Sequence, residues 1–106
     1  MSDGTIPKSE EFRIIAKKWA DADAAANLLE ETKSAFLAKK MIAMGDMPVS
    51  RAEMAVKASD EWYDFVTSMV SAREKATLLK VQLEYIRMQF HEWQSIEATR
   101  RAEMKL

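Results

Sequence analysis

The sequence predicts an all-α protein. The expected architecture is an antiparallel helical hairpin with a very long, coiled-coil-like second helix, completed as an oligomeric helical bundle. Three observations carry this. Only 2 Gly and 2 Pro occur in 106 residues, and they fall in two places, so almost all of the chain is free to be helical. Apolar residues make up 48% and charged residues 31%, a mix expected of long helices and coiled coils. Along both long segments the apolar residues return every three or four positions. The predicted organisation is a flexible tail over residues 1–8 and one helical domain over 9–106. Within that domain a helix spans 9–44, a turn 45–50 and a long helix 51–104.

The first helix is expected to start at Ser9 as N-cap, with Glu10 and Glu11 in the first turn, where the helix dipole favours acids. It is expected to end at Met44, because Gly45 suits the left-handed position after a helix and Lys39 and Lys40 complement its carboxyl end. Phe12, Ile15, Trp19, Ala22, Ala26, Leu29 and Phe36 mark its apolar face, with Lys33 at the one missing step. Five alanines between Ala20 and Ala26 let a neighbouring backbone come close.

Ser50-Arg51-Ala52-Glu53 matches a capping box for the second helix, with Val49 and Met54 placed as its hydrophobic staple. No Gly or Pro follows. Trp62, Phe65, Met69, Ala72, Ala76, Leu79, Leu83, Ile86, Phe90 and Trp93 alternate steps of three and four, a heptad register that predicts a left-handed seam. Ser59-Asp60 can cap a new helix, which would break this one after Ala58.

A short connection folds the helices back on each other. Pairing from the turn outward places Phe36 near Ser59, Leu29 near Val66, Trp19 near Ala76 and Phe12 near Leu83. The first helix is about 54 Å long and the second about 80 Å. Residues from about Ile86 onward therefore overhang, although they include Met88, Phe90, Trp93 and Ile96. A second stripe of Leu78, Val81, Tyr85 and Met88 makes the helix apolar on two sides, more than one antiparallel partner covers. The surface expected to bind another copy or another protein is Leu78, Val81, Tyr85, Ile86, Met88, Phe90 and Trp93, and a dimer is the expected assembly.

Little in the chain suggests chemistry. With no Cys there are no disulfides, thiol nucleophiles or cysteine zinc sites. His91 is the only histidine, so neither a His pair for a metal nor a Ser-His-Asp triad is expected, and it reads as a surface or interface residue. Two distant glycines cannot build a phosphate loop. No enzyme activity, cofactor or small-molecule substrate is expected. The net charge of −1 provides no global field for nucleic acid. The first eight residues lack the apolar run of a secretory signal, and no stretch reaches the roughly 20 apolar residues that cross a bilayer. A soluble, cytoplasmic protein with no membrane role is expected.

Most carboxylates find a base at helical spacing, as with Glu30 or Glu31 and Lys33, Glu53 and Lys57, and Glu84 and Arg87. Arg87, Arg100, Arg101 and Lys105 interleave with aromatics and form the candidate nucleic-acid contact, in the manner of single-strand binders. Residues 72–106 hold seven basic and five acidic side chains, an excess of only +2. Asp60, Glu61 and Asp64 form the one acidic concentration, which suits a solvated face or a small inhibitor that mimics nucleic acid. Met41, Met44 and Met47 gather at the turn, either sealing the hairpin end or forming an adaptable surface.

Glu84-Tyr85-Ile86-Arg87-Met88-Gln89-Phe90, then Glu92-Trp93-Gln94-Ser95 and Ala98-Thr99-Arg100-Arg101-Ala102-Glu103-Met104, resembles the tail of short proteins encoded by phages and prophages near replication or recombination genes. The resemblance covers the last quarter of the chain and transfers no site residue. It implies a phage accessory factor. The leading expectation is a non-enzymatic helical interaction or assembly protein that self-associates and binds a protein partner. A single-strand nucleic-acid accessory factor is the alternative.

Overall fold

The structure, a computed structural model, describes residues 6–105. Three helices run in order, α1 (Lys8–Ile42), α2 (Val49–Lys57) and α3 (Asp60–Met104), and the described residues contain no strand. Residues 1–5 of the expected tail, and Leu106, lie outside the described residues. The long helices α1 and α3 form the antiparallel hairpin, and α2 closes its turn end by touching both.

Helix α1 begins one residue before the expected Ser9 cap. Pro7 has extended backbone, and its carbonyl accepts the N–H groups of Glu10 and Glu11 at 3.1 and 3.0 Å. Proline's fixed φ and missing N–H suit the edge of a helix, so Ser9 falls inside the first turn and caps nothing. At the far end α1 stops at Ile42 rather than Met44. Met44 and Gly45 donate to Met41 and Ile42, bonds spanning three residues that tighten the last turn out of the α-helix. Gly45 then takes φ +78, the left-handed step anticipated for it.

The capping box does not form. Pro48 precedes α2 and its carbonyl accepts the Ala52 N–H at 2.9 Å, so Val49 and Ser50 are already helical and no side chain caps the helix. Val49 and Met54 are both exposed, and no staple closes between them. What anchors α2 is its inner face, where Ala52 and Val56 are buried.

The break at Ala58-Ser59 does form. Ser59 has extended backbone, accepts the Trp62 N–H at 3.2 Å and donates its hydroxyl to the Val56 carbonyl at 2.6 Å. Asp60 and Glu61 occupy the first turn of α3. One hydroxyl thus ends α2 and starts α3.

From the turn outward the hairpin is stitched by a series of unlike contacts. Phe36 stacks on Phe65 with centroids 4.5 Å apart, and Trp62 lies 6.2 Å away. Lys33 fills the gap in the apolar series of α1 by laying its ammonium 5.8 Å from the Trp62 ring, a cation–π contact. Ala22, Ala26 and Ala76 are buried in the middle, where their small side chains allow the helices to close up. Beyond them Ile15, Leu83 and Ile86 form the core cluster, flanked by Phe12, Trp19 and Leu79.

The register differs from the expected one by about a turn. Arg87 lies over the Phe12 ring at 5.6 Å, where Leu83 was expected, and Lys8 Nζ donates to Gln89 at 3.1 Å. The connection is not a tight turn. A whole short helix with a bend on either side lies between the two long ones, which moves the point of reversal toward the carboxyl end. The paired length therefore reaches Gln89, and the overhang begins at about Phe90 rather than Ile86.

Candidate functional site

The register decides which apolar residues of α3 are free. Ile86 is only 3% exposed and belongs to the core with Ile15 and Leu83, so its expected place on the partner-binding surface is corrected. The other six expected surface residues are exposed. Leu78, Val81, Tyr85 and Met88 lie between 56% and 62% exposure, Trp93 at 57% and Phe90 at 41%. Roughly 100° of rotation per residue puts Tyr85 about 180° around the helix from buried Ala76, so the stripe points away from α1. Tyr63 and Val70, upstream on the same side, are exposed as well.

The overhang forms a second part of the surface. From His91 to Lys105 every residue is exposed except Glu97, which Arg100 covers with an ion pair at 3.6 Å. The Phe90 ring sits 6.1 Å from Trp93 and 6.4 Å from His91, making a short aromatic row beside the amino-terminal end of α1. A hollow of about 280 Å³ lies beside it, lined by Lys8, Ser9, Phe12, Ile86, Arg87 and Phe90.

No family model, curated protein or solved structure matches this chain. The surface has to be read from its own residues.

The basic residues of the expected nucleic-acid contact are not brought together. Arg87 is held over Phe12 and Arg100 beside Glu97, while Arg101 and Lys105 stand in the exposed last turns. The acidic concentration is also divided, since Glu61 pairs with Lys40 across the hairpin. An open groove of about 940 Å³ runs along the hairpin past Lys18, Asp21, Ala22, Ala25, Leu78 and Leu79. Its charges alternate in sign and do not converge on one point. Among the described residues no group of three His, Cys, Asp or Glu side chains could hold a metal ion. Nor is any helix long and apolar enough to cross a membrane.

Sequence reasoning missed one organising residue. Arg73 reaches from α3 to α1, where its guanidinium donates to Asp23 at 2.7 Å, to Asn27 at 2.7 Å and to Glu30 at 2.8 Å through two nitrogens. The hydrogen bond from Arg73 holds the Glu30 carboxyl below its usual range, and Glu30 in turn raises Arg73 further. The signal was present as three acceptors in line at 23, 27 and 30, facing one arginine. Local spacing offered Glu30 or Glu31 to Lys33 instead, because a pair three residues apart is visible in sequence and one forty-three apart is not.

Proposed function

We propose that this chain is a non-enzymatic helical assembly protein that self-associates through α3 and offers the free end of that helix to a protein partner. The observation that supports it is the row of exposed apolar side chains Leu78, Val81, Tyr85 and Met88 on the side of α3 away from α1, with Val70 and Ile96 further out on the same line. A compact monomer of this mass exposes about 6000 Å², whereas this chain exposes 8322 Å². Its radius of gyration is 23.5 Å, against roughly 13 Å for a compact domain of the same length. The surplus, about 2300 Å², exceeds the roughly 800 Å² that a stable interface buries from each partner. The phage-like character of the carboxyl-terminal segment adds the setting of a phage accessory factor to this reading.

Single-strand nucleic-acid binding has less support, because two of its four cations are engaged within the chain. Sedimentation between about 1 µM and 1 mM tests the leading reading. A concentration-dependent shift from monomer to dimer is expected, and Tyr85→Glu or Met88→Glu should hold the chain monomeric with unchanged helicity. A wild-type chain that stays monomeric over that whole range would overturn it.

A further inference from the structure

The exposed side of α3 is palindromic. Counted from residue 83, its members over residues 67–99 fall in matched pairs, Val81 with Tyr85, Leu78 with Met88, Glu74 with Glu92, Val70 with Ile96 and Thr67 with Thr99, and the match ends one step further out, where Tyr63 has Glu103 as its mate. Each pair is equidistant from that centre, and all ten side chains are exposed. At roughly 100° per residue they stay within about 40° of one line along α3. Over 67–99 their mean spacing is about 3.6 residues, so two straight helices can follow the line without supercoiling. A surface that repeats itself under reversal of direction is what a two-fold interface requires, since the same patch serves both subunits.

We propose that the occupant of this surface is a second copy of the chain, bound antiparallel along α3 with the two-fold axis at residue 83. This rests on the self-association proposed above and specifies its direction and register. Three features select that arrangement. Val81 of each copy lies opposite Tyr85 of the other, and Leu78 opposite Met88, so a small side chain meets a large one at the centre rather than tyrosine meeting tyrosine. Lys80 and Glu84 stand on the same flank of the stripe, exposed and without an ion-pair partner among the described residues. Reversal brings Lys80 of one copy beside Glu84 of the other, twice over. In a parallel pair that flank would face the opposite flank, and the two residues would not meet. Finally, the stripe points away from α1, so a second hairpin docks without displacing the first. The overhangs then lie at opposite ends of the dimer, each along the α3 of the other copy near Val70. The one opposed feature is Glu74 facing Glu92, with Lys75 at its edge, and it bounds the central apolar contact on both sides.

The chain contains no cysteine, so single spin labels are placed cleanly in the full-length protein. Labels at Gln82→Cys and, separately, at Ala102→Cys are read by pulsed dipolar spectroscopy at a concentration where sedimentation shows dimer. The proposal requires a separation under about 20 Å at 82, set by adjacent helices, and about 57 Å at 102, set by the helical rise. Short distances at both sites mean a parallel pair and overturn the proposal. A short distance at 102 with a long one at 82 means contact through the overhangs, which overturns it while leaving self-association intact. Absence of dimer overturns both. Charge reversal supplies a second readout. Lys80→Glu and Glu84→Lys should each weaken the dimer roughly tenfold and their combination restore it, because exposed like-charge contacts replace pairs in the single variants only. Failure of the combination to recover affinity counts against the register, since helicity monitors folding in every variant.

Discussion

Arg73 shows how one side chain sets an alignment that two helices alone would leave loose. Apolar seams of alanine and leucine tolerate sliding by a turn, whereas a planar guanidinium with three acceptors in line fits one register. All these groups are solvent-accessible, so the clamp is screened by salt and acts more on geometry than on stability. Its pH dependence follows from the lowered carboxyl of Glu30. A group whose folded value is depressed contributes stability above its unfolded value and loses it as pH falls through the folded one. The melting temperature of the wild type should therefore be insensitive to this group from pH 7 to about 5, then fall below about pH 4. Replacing Arg73 with Gln should lower melting by a few degrees at pH 7. That difference should shrink in acid, when Glu30 is neutral in both proteins. A difference that grows in acid would show that Glu30 is not the partner that matters.

Among the elements, α2 has the most to explain. It has nine residues, too few to be stable alone, and begins without a side-chain cap. It holds its place through Val56 and Ala52 beneath it and through Ser59 at its end. Ser59→Ala removes the acceptor for the Trp62 N–H and should cost about 1 kcal/mol, the usual worth of an N-cap. Hydrogen exchange should localise the loss to the first turn of α3 and to α2, and leave the Ile15–Leu83–Ile86 cluster protected. Uniform loss across the molecule would mean that the bend is not a separate unit. The capping box at Ser50 fails for a related reason. Pro48 already supplies the extended residue that leads into a helix, and the box needs that residue to be Ser50.

At the scale of the molecule, extents of 83 × 29 × 16 Å leave room only for a thin core, one seam wide. Stability comes from one seam, and that seam ends near Gln89. Residues 92–105 extend beyond it. Ending the chain after His91 should change the melting temperature of the monomer by less than about 3 °C, measured at a concentration where the full-length chain is also monomeric. The same truncation should weaken the dimer, because it deletes Ile96 and Thr99, the mates of Val70 and Thr67. A large loss of monomer stability would instead assign the overhang a partner within its own chain.

The sequence by itself determined the helical class, the hairpin and the apolar face of each long helix, and it offered Ser59 as a place where the second helix could break without deciding that it does. Periodicity, breakers and capping are local properties, legible over a few residues. It also placed Leu78, Val81, Tyr85 and Met88 on a surface, because two stripes on one helix exceed what one partner covers, and Phe90 and Trp93 there because the second helix outruns the first. Only the tertiary structure decided the register. A turn of difference moved Ile86 from the surface into the core, carried the start of the overhang to Phe90 and set Arg73 opposite Asp23, Asn27 and Glu30. Register depends on contacts between residues forty to eighty apart and on the room a short helix takes at the turn. Neither quantity leaves a periodic trace in the chain.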